Sequence, residues 1–149
     1  MQSLIRDINL AAEGRKKIDW VSNFMPTLNT LGDRFEAEQT FKGQTIVVSV
    51  HLEAKTAYLA TVLKRGGADV IVTGSNPLST QDDVAAGLVD MGITVYAWYD
   101  CTDEEYFDFL HKALDHKPHI IIDDGGDLVN LLHTTRQDAK ERLIGGSEE

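Results

Sequence analysis

The pattern that decides the fold lies in residues 45–73, which read TIVVSVHLEAKTAYLATVLKRGGADVIVT. A β-branched run at 45–50 is followed by a helical pattern from Ala54 to Leu63, and a second apolar run occupies residues 69–73. Two short apolar runs separated by a helical stretch predict a strand, a helix and a second strand. A helical crossover joins parallel strands, since an antiparallel pair needs only a short turn.

The same unit repeats along the rest of the chain. Two further strands are predicted at 94–98 and 119–122. The helices predicted after the second, third and fourth strands are residues 80–91, 106–114 and 128–136. Because each strand is a nearly continuous apolar run, the sheet should be covered on both faces. We therefore predict an α/β fold with a doubly wound parallel sheet, in a flavodoxin-like or Rossmann-like three-layer α/β/α arrangement.

The two ends of the chain differ from this pattern. Residues 2–39 carry apolar side chains at three-to-four-residue spacing, which predicts N-terminal helices. We expect Gly14 to separate two helices and Pro26 to kink or divide the second. The tail from Ile144 is small and acidic, so no structure is expected there. Residues 1–149 should form a single domain.

Composition narrows the class of protein. A chain of 149 residues with 42% hydrophobic residues can bury one core. Its 24 acidic and 14 basic residues give a formal charge of -10, which disfavours nucleic acid as a partner. Cys101 is the single cysteine, so no intrachain disulfide is possible. No apolar stretch has the length of a signal peptide core or a membrane span, and we expect a soluble cytoplasmic protein.

Polar residues follow the first predicted strand directly. His51, Glu53, Lys55 and Thr56 lie where that strand turns into a helix. Ligands of doubly wound sheets bind at the carboxyl ends of the strands, so these side chains are candidate binding residues. The simpler interpretation of this segment alone is a helix start, with His51 as a cap and solvated charges at Glu53 and Lys55.

The loop after the second strand is also polar. Residues 74–83 read GSNPLSTQDD and lead into a helix. Ser79 or Thr80 is expected to cap that helix, which would leave Asn76 and Gln81 available for a ligand.

Residues 123–127, DDGGD, place three carboxylates and two glycines after the fourth strand. Glycines allow a backbone to approach a ligand closely, and neighbouring carboxylates raise one another's cost of ionisation. The spacing is not that of a calcium-binding loop, and no metal site is expected. An equally good interpretation is that Asp127 caps the next helix while Asp123 and Asp124 are solvated. No Gly-x-Gly-x-x-Gly follows a strand, so no dinucleotide site is expected in this chain.

Ten short segments resemble one enzyme family in their order along the chain. They are DINLAAEGR (7–15), Met25-Pro26, His51, Thr56-Ala57, STQD (79–82), VYAW (95–98), TDEEY (102–106), IDDGGDL (122–128), His133-Thr134 and SEE (147–149). This set resembles the N-terminal, substrate-binding lobe of the S-adenosylhomocysteine hydrolase family, in the form seen in archaeal and thermophilic relatives.

The resemblance implies an NAD-dependent hydrolysis of S-adenosylhomocysteine to adenosine and homocysteine. In that family NAD oxidises the ribose 3'-hydroxyl, so the neighbouring C4' proton becomes removable and homocysteine is eliminated. By position, the resemblance makes His51 a ligand-side histidine and Asp124 the catalytic aspartate. It makes Glu149 a ribose-binding residue and Gln81 a contact on the adenine side.

Two positions depart from the commonest family pattern, which has threonine and then glutamate after the histidine. This sequence has Glu53 and Lys55 there. A glutamate accepts a hydrogen bond from the 6-amino group of adenine, whereas a lysine only donates and suits the 6-oxo group of hypoxanthine. S-inosylhomocysteine is therefore the alternative substrate.

The NAD-binding half of the family is absent from these 149 residues. We therefore expect the chain alone to be inactive, to bind no cofactor, and to bind at most a nucleoside or nucleosidyl-homocysteine. An exposed sheet edge or truncated face would favour a homodimer.

A stand-alone binding or scaffold domain with a vestigial site is the alternative. A phosphoacceptor receiver domain is a third interpretation, but the acidic pocket at the first strand is missing.

Overall fold

A computed structural model describes residues 2–149 of the protein. The helices are α1 (Ala11–Ser22), α2 (Pro26–Glu38), α3 (Ala54–Arg65), α4 (Asp82–Asp90), α5 (Asp103–Leu114) and α6 (Asp127–His133). The strands are β1 (Thr45–Ser49), β2 (Asp69–Thr73), β3 (Thr94–Tyr96), β4 (Ile120–Asp123) and β5 (Gly145–Glu148). Short 3-10 helices occupy Ile8–Leu10 and Gln137–Arg142. Among the described residues, no helix is both long and apolar enough to cross a membrane.

All strand pairs in the sheet are parallel, and the strand order is β3-β2-β1-β4-β5. Side chains alternate between the two faces of each strand. Val48 and Val72 face a cluster formed with α1, α3 and α4, whereas Val47 and Ile71 face a cluster formed with α5 and α6. This confirms the three-layer α/β/α fold. The strand order is that of Rossmann-type sheets, which was one of the two expected topologies.

The fifth strand corrects the prediction that the tail has no structure. Gly145 pairs with Ile120 and Glu148 with Asp123, so β5 extends the sheet beyond β4. All four residues of β5 are exposed, and a Cβ at Gly146 would lie 2.4 Å from Ile121 Cγ1. Backbone pairing and a close approach hold this strand, and neither produces an apolar pattern in the sequence. The sheet therefore ends on an exposed edge strand.

Gly14 does not separate two helices, contrary to the prediction, because α1 is continuous from Ala11 to Ser22. A Cβ at Gly14 would lie 1.7 Å from the backbone oxygen of Asp83, where α4 begins. Gly87 in α4 makes the reciprocal approach to α1, with its Cβ position 2.9 Å from the Arg15 nitrogen. The glycines thus allow the two helices to cross in near contact.

Pro26 divides the N-terminal helical region, as one of the two expected outcomes. It lies in the first turn of α2, where a proline costs no helical hydrogen bond. The helical prediction for the first residues is wrong at Leu4. Leu4 N donates to Val95 O at 2.8 Å and Leu4 O accepts from Ala97 N at 3.1 Å, which pairs the segment with the edge of β3.

Two predicted helix starts had different outcomes. Thr102 caps α5 in a reciprocal capping box with Glu105, an arrangement that the three-residue spacing of this threonine and glutamate before the helical pattern predicts. Neither Ser79 nor Thr80 caps α4, which begins after Gln81 without a side-chain cap. The Ser79 hydroxyl instead accepts from the backbone nitrogens of Ser75 and Asn76, so it stabilises the loop.

Candidate functional site

The site lies at the carboxyl edge of the sheet between β1 and β4. The chain leaves β1 through α3 towards β2, whereas it leaves β4 through α6 on the opposite face, and this divergence opens a crevice. His51 follows β1 and Asp124 follows β4. His51 Nε2 lies 3.4 Å from Asp124 Oδ2 across the crevice. The structure therefore pairs two residues that are 73 positions apart in the sequence.

A cavity of about 440 Å³ adjoins His51, and Asp124 is not among its lining residues. Its lining residues are Val50, His51, Glu53, Lys55, Thr56 and Glu149. Five of these are predicted site residues, contributed by the β1–α3 turn and by the residue that follows β5. An imidazole, two carboxylates, an ammonium and a hydroxyl thus surround one opening, which is a suitable set for a ligand with several hydroxyl groups.

Glu53 and Lys55 differ in the hydrogen bonds that their charged groups make. Glu53 Oε1 accepts from the backbone nitrogens of Lys55 at 3.0 Å and Thr56 at 3.2 Å, so the carboxylate is the N-cap of α3. Lys55 is exposed at the cavity. Thr56 is 9% exposed and lies beneath the opening. Lys55 therefore offers the available charged donor on this side of the cavity.

Asn76 and Gln81 are the two candidate binding residues from the loop after β2, and their side chains make different contacts. Gln81 N donates to Leu52 O at 2.9 Å, which places Gln81 beside the β1–α3 turn. Its amide oxygen accepts from Lys17 Nζ at 3.3 Å. Asn76 Oδ1 accepts from Leu78 N at 2.9 Å within its own loop, and Asn76 does not line the cavity.

Asp124 lies in the DDGGD turn, directly after a buried aspartate. Asp123 is 0% exposed, and its two carboxylate oxygens accept from the backbone nitrogens of Asp124 and Val129. Burial raises the pKa of Asp123, and the nearby charge of Glu148 raises it further. This buried carboxylate fixes the start of the turn and the first turn of α6.

The structure adds two residues to the site that sequence reasoning missed. Glu148 Oε1 accepts from Gly125 N at 2.7 Å. The buried Tyr106 hydroxyl lies 2.9 Å from both Asp127 Oδ2 and Ser75 O, so its single hydrogen is directed to one of two acceptors. Burial raises the pKa of Tyr106. Their signal in the sequence was weak, because both lie far along the chain from the turn they contact.

The residues at this edge do not fit the pyrophosphate of NAD. Phosphates bind at helix N-termini whose backbone nitrogens are free and whose surroundings carry no negative charge. The N-terminus of α3 is capped by Glu53, and the first turn of α4 holds Asp82 and Asp83. Asp127 occupies the first turn of α6. Within residues 2–149 there is also no group of three His, Cys, Asp or Glu side chains arranged to hold a metal ion.

A second hollow, of about 430 Å³, lies beside α1 and α3 and includes Lys64 and Arg65. Lys64 Nζ donates to the backbone oxygens of Met91 and Gly92. Arg65 is paired with Asp33 and Glu36 on α2. Because both cations have partners, this hollow offers less to a polar ligand than the crevice at His51.

Fold and site together define a doubly wound α/β protein with a polar crevice at the carboxyl edge of its sheet. The chain belongs to the S-adenosyl-L-homocysteine hydrolase family, whose sequence model matches residues 2–149.

Several relatives share about half of the residues in this chain. It is 55% identical to the S-inosyl-L-homocysteine hydrolase of Methanocaldococcus jannaschii over 145 residues, which are 97% of this chain and 35% of that protein. It is 53% identical to the adenosylhomocysteinase of Pyrococcus abyssi, over 97% of this chain and 34% of that protein. The S-inosyl-L-homocysteine hydrolase of Methanococcus maripaludis is 49% identical over 99% and 35%. The chain thus spans about a third of the length of these relatives.

Proposed function

We propose that residues 2–149 bind the nucleoside part of S-inosylhomocysteine or S-adenosylhomocysteine, as the substrate-binding lobe of a hydrolase that releases homocysteine. The observation that carries the proposal is the convergence of His51, Asp124 and Glu149 at one crevice. Family membership supports the substrate class, since relatives are named for hydrolysis of these two thioethers.

Each of the three side chains has a role that suits its chemistry. The Glu149 carboxylate has oxygens enough to accept from both vicinal ribose hydroxyls. His51 Nε2 and Asp124 Oδ2 lie 3.4 Å apart, and an imidazole and a carboxylate side by side can pass a proton to and from the sugar. The His51 side chain is 61% exposed, so a ligand in the crevice can reach it.

NAD, which the family resemblance implies, has no fitting pyrophosphate site among the described residues. We therefore propose that residues 2–149 bind the substrate, and that any redox step relies on protein outside them. Two results should follow for the 149-residue chain by itself. NAD should leave its melting temperature unchanged, and homocysteine release from either thioether should stay at the background rate.

The nucleobase preference is proposed to depend on Lys55. Glu53 Oε1 accepts two backbone hydrogen bonds as the N-cap of α3, whereas the exposed Lys55 ammonium is a charged donor at the cavity. An ammonium donates to the 6-oxo group of hypoxanthine but has no acceptor for the 6-amino group of adenine. The inosyl compound is therefore the favoured substrate.

Thermal denaturation with millimolar inosine, adenosine or NAD tests the proposed function. A ligand at about 100 times its Kd stabilises the folded state by ~2.7 kcal/mol. For a chain of this size, that is a rise of about 5–10 °C. We expect the larger rise with inosine, a smaller one with adenosine and none with NAD. If neither nucleoside moves the transition, the chain does not bind nucleosides and the proposal fails.

Calorimetric titration of Lys55→Glu tests the base preference. The exchange should weaken inosine binding about tenfold and strengthen adenosine binding, because the charged donor becomes an acceptor. Lys42→Glu makes the same charge change at an exposed position outside the cavity and should leave both affinities unchanged. Equal loss of both nucleosides in Lys55→Glu would show that Lys55 does not read the base.

A further inference from the structure

The end of β5 carries two successive glutamates that contact different parts of the site. Glu149 lines the cavity, whereas Glu148 Oε1 accepts from Gly125 N at 2.7 Å. Successive residues of an extended segment point in opposite directions, which explains the separation. One dipeptide therefore contacts the ligand cavity and the turn that carries Asp124.

The turn at Asp124 is held by few contacts other than hydrogen bonds. Gly125 and Gly126 have φ values of 89° and 80°, in the left-handed region. A Cβ added at either position would meet no atom within 4 Å, so side-chain packing does not fix the turn there. Asp123 Oδ1 holds the Asp124 nitrogen at 3.1 Å, and Glu148 holds the next nitrogen along the chain.

The strand that brings Glu148 to the turn is itself weakly packed. All residues of β5 are exposed, and its attachment is the backbone pairing with β4. Glu149 N continues that pairing by donating to Asp123 O at 2.9 Å. The Glu148 hydrogen bond joins β5 to the turn after β4, and backbone pairing joins β5 to β4 itself. Displacing β5 would therefore displace the turn.

The carboxylate of Glu148 lies near another acidic side chain. Its carboxylate lies close enough to the buried Asp123 to contribute to the raised pKa of that residue. Carboxylates in one another's vicinity repel, so this arrangement is electrostatically unfavourable unless a contact offsets it. The short hydrogen bond from Gly125 N is such a contact, since a charged acceptor makes a strong bond.

We infer that Glu148 is a positioning residue, whose hydrogen bond to Gly125 N holds Asp124 opposite His51 and sets the direction of Glu149. The inference rests on the proposed function only for the identity of the ligand. The contact acts through Gly125 and Asp124, and Glu148 is not among the residues that line the cavity.

NMR measurements on the 149-residue chain test this with two variants of the same residue. Glu148→Ala removes the acceptor, whereas Glu148→Gln keeps an oxygen that can accept from Gly125 N and removes the charge. Glu104→Ala removes an exposed acidic side chain from the first turn of α5 and serves as the control. The readouts are hydrogen exchange of the Gly125 amide and the ring resonances of His51.

We expect Gly125 exchange to be about tenfold faster in Glu148→Ala, as for loss of a hydrogen bond to a charged acceptor. The His51 ring resonances should move in that variant, while Glu148→Gln and Glu104→Ala should resemble the parent chain in both readouts. Unchanged Gly125 exchange in Glu148→Ala would overturn the inference. Faster exchange with unmoved His51 resonances would also overturn it, since the contact would then be structural only.

Inosine affinity, measured by calorimetry, separates this inference from the proposed function. Glu148→Ala should weaken binding about tenfold, as expected when Glu149 no longer reaches the ribose, and Glu148→Gln should restore it. If the parent chain binds no nucleoside, the proposed function fails, while the exchange rate and the His51 resonances still decide the role of Glu148.

Discussion

Gly14→Ala is expected to destabilise the protein although alanine is the better helix former. At an unconstrained position within a helix, the exchange would stabilise by about 1 kcal/mol. At Gly14 the new methyl carbon would lie 1.7 Å from the Asp83 backbone oxygen, about 1.7 Å short of an ordinary 3.4 Å contact. Asp83 belongs to α4, whose following residues are buried in the core, so the obstacle cannot rotate away as a flexible side chain would.

The expected magnitude follows from the size of the overlap. Overpacking a core typically costs about 1–3 kcal/mol and occasionally more. An overlap with backbone belongs at the upper end, so we expect a net loss of about 3 kcal/mol. For a chain of this length, that loss lowers the melting temperature by roughly 6–12 °C.

Gly32→Ala in α2 is the matched control. Its added Cβ would meet the end of the Arg65 side chain at 3.1 Å and a Val62 methyl at 3.4 Å, and both can shift slightly. Its stability should stay within about 1 kcal/mol of the parent chain. Urea unfolding followed by circular dichroism measures both variants. If Gly14→Ala is as stable as Gly32→Ala, the close crossing of α1 and α4 is not what requires glycine.

Two further perturbations test the half-buried His116 and the buried Asp123. Burial lowers the pKa of His116, so the folded state binds fewer protons than the unfolded state and stability should fall as pH drops below about 6.5. His116→Gln should flatten that decline in urea titrations between pH 7 and 5, and an unaltered slope would exclude His116 as its source. Asp123→Asn directs an NH₂ group at one of two backbone donors, Asp124 N or Val129 N, and should cost about 1–3 kcal/mol in the same assay. Parent-like stability would mean that the two bonds contribute little.

Much of the fold was predictable because it depends on local patterns. Apolar runs such as 45–50 and 69–73 bury both faces of a strand, and helical spacing between them requires a parallel crossover. The capping box at Thr102 was also readable, since its two partners are three residues apart. Placing His51 and the DDGGD turn at the same edge followed from parallel strand direction alone.

The errors share a different cause. Gly14 looked like a break because glycine is unfavourable in an isolated helix, and the reason for it lies on another helix. The strand β5 has no apolar alternation, since backbone bonding to β4 holds it.

The sequence by itself therefore determined the strand-helix alternation, the parallel sheet and the edge at which the polar residues gather. Local periodicity and the direction of parallel strands are sufficient for these features. The tertiary structure alone decided which polar groups meet: His51 with Asp124, Glu148 with Gly125, and the cavity shared by Lys55 and Glu149. Such contacts join residues distant in the chain, and their distances depend on strand register and helix packing, which a local pattern does not encode.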